Sequence, residues 1–307
     1  MGTGATSRMK DRPGNGILHV TFELDDLRWT LTMGTGMGRP PRQRRVRPRD
    51  RAAVLGEIEE TKRRFGVVGG RTVSCYEAGR EGFWLHRWLV SEGIENRVVD
   101  SASIEVNRRK RRVKADRLDG KKLLRMLMRY EAGEKDVWSV VRVPSVEAED
   151  ARHLHRELTT LKRARVRVTN RTKGLLATQG VRLQLHEDFL ERIDEIRLWD
   201  GSRLPPRLRD RLQRAWERRT WLSERILHLE RNRRELLRSS TADDVERVRQ
   251  LMLLDGIGEN SAWVFVTEFF GWRRFNNRRE VAGLAGVTPA NYQSGATSHD
   301  QGISKAG

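Results

Sequence analysis

The sequence predicts a mixed α/β segment, then a long helical hairpin, then a smaller and mostly α-helical segment. Three observations carry this expectation. Apolar runs of period two alternate with runs of helical period as far as Pro144. Apolar residues then step by four and three from Glu147 to Leu237. Finally, a Gly-x-Gly turn joins two apolar helical runs after Val245. The boundaries that follow are 1–144, 145–240 and 241–307.

Residues 17–22 and 27–33 are apolar runs on either side of the acidic turn Asp25-Asp26, which is the pattern of a β-hairpin. An arginine-rich loop follows, with six arginines within 39–49 and breaks at Pro40, Pro41 and Pro48. Helical spacing covers 52–65 and 83–91, and short strands are expected at 72–76 and 96–99. A basic helix continues through 121–130. In the second segment Leu154, Leu158, Leu161, Arg165, Val168, Thr172 and Leu175 form one heptad series. Leu208, Leu212, Ala215, Arg219, Leu222, Ile226, Leu229, Arg233 and Leu236 form another. With a loop at 201–206 between them, they predict an antiparallel coiled coil whose polar core positions favour register over stability. The third segment holds Leu254-Asp255-Gly256-Ile257-Gly258 and a helical run at 261–270, a helix-hairpin-helix-like arrangement.

Composition narrows the partners. Lys and Arg number 61 against 42 Asp and Glu, a formal charge of +19 with a pI near 11.0. Residues 151–240 alone hold 23 basic and 12 acidic side chains. Such an excess is the footprint of a polyanion partner, because each neutralised phosphate releases counterions. A hydrophobic content of 37% can build real cores and argues against general disorder. The lone Cys75 excludes an internal disulfide framework and a cysteine-rich zinc site, and it suits a reducing cytoplasm. No apolar run approaches the roughly 18 residues of a membrane span. Charge alone leaves open a chromatin-like binder and a nucleic-acid enzyme.

The most informative stretch is Lys114-Ala115-Asp116-Arg117-Leu118-Asp119, set among ten Lys and Arg residues within 108–125. Two carboxylates three residues apart share one face of a helix. In so basic a setting they point to a divalent cation held against a nucleic-acid phosphate. Arg108, Arg109, Arg111, Arg112 and Lys114 are the candidate phosphate contacts beside them. Gly256 and Gly258 would let backbone N–H groups approach a phosphate, or they form an ordinary tight turn.

These blocks carry a resemblance. His19-Val20-Thr21-Phe22-Glu23-Leu24, Tyr76-Glu77-Ala78-Gly79, the Asp116–Asp119 stretch and the Leu254–Gly258 turn occur in the order found in the bacterial DEDD transposases of the insertion-sequence-110 family. Gly286-Val287-Thr288-Pro289 follows, then Ser294-Gly295 and Gly302-Ile303-Ser304-Lys305-Ala306-Gly307. The resemblance implies an RNase H-like domain akin to the RuvC resolvase, a coiled-coil linker and a C-terminal transposase domain. It implies four catalytic and metal-ligating acids, Glu23, Glu77, Asp116 and Asp119, around Mg²⁺ or Mn²⁺. The first position is often Asp, so Glu23 departs from the pattern, and Asp25 and Asp26 are the alternative ligands. The resemblance also implies a serine nucleophile at Ser294, with Ser298 as competitor; the residues alone read Ser294 as a turn residue before glycine.

The implied partners are donor and target DNA, a structured guide RNA and further copies of the chain in a dimer or tetramer. No membrane is involved, and the expected place is the cytoplasm of a bacterium, at the nucleoid. Family members continue past the Gly302–Gly307 block, so a truncated or frameshifted copy is expected, its third domain short of a full core. Three functions follow: an RNA-guided DNA recombinase, a RuvC-type metal-dependent nuclease in which the serine is idle, or an inactive nucleic-acid binder.

Overall fold

The structure, a computed structural model, describes residues 16–104, 120–294 and 297–303, with side chains as far as Thr288. Asp116, Asp119, Arg108, Arg109, Arg111, Arg112 and Lys114 lie outside the described residues. The chain forms two compact units, Met1–Val143 and Pro144–Gly307.

The first unit is built on a five-stranded mixed sheet. Its strands are β1 (Leu18–Leu24), β2 (Trp29–Gly34), β3 (Arg42–Val46), β4 (Thr72–Glu77) and β5 (Glu95–Val99), ordered β3-β2-β1-β4-β5. The first three pair antiparallel, whereas β1, β4 and β5 run parallel. Three helices belong to this unit, α1 (Arg51–Phe65), α2 (Trp84–Ser91) and α3 (Gly120–Glu131). Period-two alternation sorts the two faces. Leu18, Val20, Phe22, Trp29, Leu31 and Tyr76 form one core with Val54 and Ile58 of α1 and Leu85 and Leu89 of α2. Val73, Cys75 and Val99 form the opposite core with Leu123, Met126 and Leu127 of α3. This three-layer α/β arrangement is compatible with an RNase H-like domain.

Local chemistry sets the ends of α1. The Asp50 carboxylate accepts from the Ala53 N–H at 3.0 Å, and Gly66 closes the helix at φ 70°. Lys62, Arg63 and Arg64 occupy its last turn, where they complement the helix dipole. The sequence placed a loop across 39–49, and the structure places a strand within it. The physical reason is alternation between flanking prolines. Arg42, Arg44 and Val46 lie on the α1 side, where Glu57 pairs with Arg42 at 2.9 Å and Arg44 at 3.3 Å. Gln43 and Arg45 face the other way. The backbone of β3 is satisfied by β2, so the charged side chains do not oppose strand formation.

The second unit begins with α4 (Val146–Ala177) and α5 (Pro206–Ser239). The Ser145 hydroxyl caps α4 by accepting from the Ala148 N–H at 3.1 Å. The two helices pack antiparallel: Lys162 meets Glu230 at 2.7 Å, while Leu176 at the end of α4 packs with Leu212 and Trp216 near the start of α5. Of the heptad positions, Leu158, Thr172, Leu212, Leu222, Ile226 and Arg233 are buried. Two details differ. The connection is not confined to 201–206 but spans 178–205, where Val181, Phe189, Ile193 and Leu204 join the cluster at the helix ends. These residues follow no helical period, so heptad counting passes over them. In addition, Leu236 is exposed and Leu237 packs inward, a one-residue slip at the end of α5.

Trp216 anchors this end of the unit. It is 1% exposed, lies 4.6 Å from the Phe189 ring and has the Arg219 guanidinium 4.3 Å over its face. Trp216→Ala is expected to cost about 3–5 kcal/mol through cavity formation. Urea unfolding followed by far-UV circular dichroism measures this; a loss below about 1 kcal/mol, the size of an ordinary surface change, would contradict the packing.

Beyond α5 lie α6 (Asp243–Met252), α7 (Glu259–Val264), a π-helical turn (Phe265–Phe270) and α8 (Arg278–Leu284). The helix expected at 261–270 therefore changes pitch midway. Its end is closed by the Gly271 N–H, which donates to the Val266 carbonyl at 2.7 Å, one residue further back than in an α-helix. An antiparallel hairpin of β6 (Pro289–Ser294) and β7 (Thr297–Ile303) follows. The segment expected to be mostly α-helical thus carries a strand pair.

Candidate active site

The site begins with register. Strands β1 and β4 pair residue by residue from Leu18 opposite Thr72 to Phe22 opposite Tyr76. The next residue on each is a glutamate, Glu23 and Glu77. Neighbouring strands lie roughly 4.8 Å apart, so two carboxylates emerge side by side where the central parallel strands end. By alternation both leave the sheet on the α3 face, away from Phe22 and Tyr76. They line an open cleft of about 1250 Å³ shared with Thr30, Arg28 and Arg45.

Proximity has an electrostatic signature. The Glu77 carboxyl is held above the usual carboxylate range, first by burial and then by the negative charge of Glu23. Two half-buried carboxylates that repel each other are a donor set awaiting positive charge, and their oxygens are hard ligands. Among the described residues no group of three or more His, Cys, Asp or Glu side chains is arranged to hold a metal ion. Glu23 and Glu77 could supply two donors to such a site, which would need others beside them.

The alternative ligands are otherwise employed. Asp25 accepts from the Leu27 N–H at 2.9 Å and so shapes the β1–β2 turn, while Asp26 is ion-paired with Arg80. Both line the cleft.

Gly120, which the sequence did not single out, packs closely against Glu23 and Thr32. It opens α3 against the sheet, and Thr21 Oγ1 donates to its carbonyl at 3.2 Å. A Cβ at position 120 would come within 2.6 Å of Glu23 Oε1 and would also collide with Thr32 Oγ1. Any side chain larger than glycine's here makes Glu23 or Thr32 move. In sequence Gly120 directly follows Asp119. The signal was present as an acid followed by glycine at a helix start, but the close approach arises between residues distant in sequence.

Comparison with known proteins now bears on this geometry. Residues 248–307 match the family described as Transposase IS116/IS110/IS902 family. A protein of Sinorhizobium fredii named "Putative transposase y4rJ" is 40% identical over 305 residues, covering 95% of this chain and 77% of that protein. The chain belongs to the IS116/IS110/IS902 transposase family. It is also similar to the "Transposase for insertion sequence element IS1328" of Yersinia enterocolitica, 29% identical over 154 residues. That match covers 50% of this chain and 44% of the relative.

Among the described residues the remaining candidates fall in the second unit. Ser294 is the last residue of β6 and pairs with Thr297, and Ser298 of β7 pairs with Gln293. Gly256 adopts φ 83°, and Gly258 is the residue before α7. Arg233 of α5, 3% exposed, holds the start of α7 by bonding Glu259 and, at 2.7 Å, Asn260. No helix among the described residues is long and apolar enough to cross a membrane. The family acts on DNA, and the charge of +19 suits that partner.

Proposed function

We propose that this transposase cuts and rejoins DNA at a four-carboxylate site formed by Glu23, Glu77, Asp116 and Asp119, with Ser294 as the nucleophile. The observation that carries the reading is the side-by-side emergence of Glu23 and Glu77 on parallel strands. Gly120, pressed against Glu23 and next in sequence to Asp119, supports the other two acids as their companions. These residues would hold Mg²⁺ or Mn²⁺, whose charge neutralises phosphate oxygens and stabilises the leaving oxygen.

The protein's own residues do the rest. The Ser294 hydroxyl attacks phosphorus, its Oγ–P bond forming as the bond to the leaving sugar oxygen breaks and the proton passes to solvent. A phosphoester replaces a phosphoester, so the strand can be rejoined without an external energy source. The basic stretch from Arg108 to Lys114 and the turn at Gly256 and Gly258 contact the phosphate backbone in this reading. A structured guide RNA and assembly into a dimer or tetramer complete it. The helical hairpin, as a coiled coil, provides a basic surface for RNA and DNA.

A suicide DNA substrate separates this reading from a metal-dependent nuclease. The wild-type chain is expected to form a covalent protein–DNA adduct. Ser294→Ala should abolish the adduct while retaining DNA binding, and Asp116→Ala should abolish both adduct and cleavage. Cleavage by the wild type without any adduct would select the nuclease. DNA binding without cleavage would select an inactive binder.

A further inference from the structure

The sheet register extends the site sideways. Glu23 of β1 pairs with Thr30 of β2, and Thr30 pairs with Arg45 of β3. Arg45, Thr30, Glu23 and Glu77 therefore form one row across the sheet, all pointing to the α3 side and all lining the same cleft. Arg45 is exposed. Unlike Arg42 and Arg44, which are held by Glu57 on the opposite face, it makes no ion pair among the described residues. The strand that carries it forms the outer edge of the sheet.

We propose that Arg45 grips the phosphodiester backbone of the DNA strand that crosses Glu23 and Glu77, and so positions that strand for cleavage. The proposal rests on the carboxylate site described above and adds a specific contact to it. Two strand spacings separate Arg45 from Glu23, roughly 10 Å between backbones. This separation places the gripped phosphate on the same strand, close to the one being cut. A guanidinium presents a planar fork that matches two phosphate oxygens, and it remains charged at any working pH. Arg28, on the rim of the same cleft, adds positive potential beside it. The competing role for an edge arginine is to keep the edge from pairing with another chain's strand.

The test compares wild type with Arg45→Ala, Arg45→Lys and Arg45→Glu as full-length chains. Binding to labelled duplex DNA is measured in EDTA across a potassium chloride series, so the result does not depend on cleavage. Arg45→Ala is expected to reduce the slope of log affinity against log salt by about one, as the loss of one phosphate contact requires. Arg45→Lys should keep the slope, and Arg45→Glu should lower affinity further. With divalent metal added, Arg45→Ala should raise KM and also lower kcat, as the loss of a positioning contact requires.

An unchanged salt slope in Arg45→Ala and Arg45→Glu would overturn the proposal, and accompanying aggregation would assign Arg45 to edge protection. A reduced slope on RNA but not on DNA would overturn the assignment to the DNA strand. Glu77→Gln separates the two ideas, since it should reduce cleavage by about 10³-fold and keep the wild-type slope. If even the wild type fails to cleave, the four-carboxylate reading fails while the binding comparison still decides the role of Arg45.

Discussion

Glu77→Gln is expected to reduce metal-dependent DNA cleavage by about 10³-fold, since a ligand to a charge-neutralising cation contributes several kcal/mol to the transition state. The same change should make the metal-free protein more stable. Burial and the neighbouring Glu23 raise the Glu77 carboxyl above its ordinary range in the folded chain. The folded state thus binds this proton more tightly than the unfolded state does. Above the folded value Glu77 is ionised against these forces and destabilises the first unit; stability rises as pH falls through that value. Glutamine removes the charge, so Tm at pH 7 in EDTA should rise, and the dependence of Tm on pH in the acid range should flatten. Magnesium should raise the Tm of the wild type and have less effect on the variant. Differential scanning fluorimetry across pH, with and without Mg²⁺, measures all of this. A variant that is less stable than wild type in EDTA would contradict the repulsion between Glu23 and Glu77.

Gly120→Ala carries the second large effect. The added methyl would meet the Glu23 carboxylate and the Thr32 hydroxyl, so one of them must move. Overpacking of this kind costs about 1–3 kcal/mol of stability. A displacement of about 1 Å in a catalytic group can cost on the order of 10²-fold in rate. The outcome should be a folded protein with weakened Mg²⁺ binding and cleavage reduced by about two orders of magnitude. Shortening the acid relieves the contact with Glu23 but not the one with Thr32, so Glu23→Asp in the Gly120→Ala background should recover part of the metal affinity and little of the stability. The four proteins form a double-mutant cycle, and an additive result would show that Gly120 does not act through Glu23.

Much of the first unit was legible because its physics is local. The alternation Leu18, Val20, Phe22 and its counterpart in β4 announce half-buried strands, and the glutamates at their ends stand out against apolar runs. That Glu23 and Glu77 become neighbours was legible only through resemblance, since the pairing of β1 with β4 is set by the packing of the intervening helix. Edge strand β3 was hidden by its arginines and flanking prolines, which read as a loop until β2 supplies a partner. The cluster around Trp216 escaped because residues 178–205 follow no period. The narrow seat at Gly120 escaped because a single α-carbon packed against Thr32 and Glu23 leaves no pattern in sequence. Asp116 and Asp119, the most conspicuous pair in the sequence, rest on chemistry and resemblance alone.

Helix α5 has a mechanical consequence. At 34 residues it is about 50 Å long, and its two ends are fastened to different things. Near its start Trp216 is wedged against Phe189; near its finish the buried Arg233 grips Glu259 and Asn260 at the mouth of α7. A rod clamped in this way acts as a lever. A pivot of a few degrees at the tryptophan end, acting over the roughly 25 Å to Arg233, would move the start of α7 by about one to two ångströms, so a force on the neighbouring Gly256–Gly258 turn would exert torque on the far end of the hairpin.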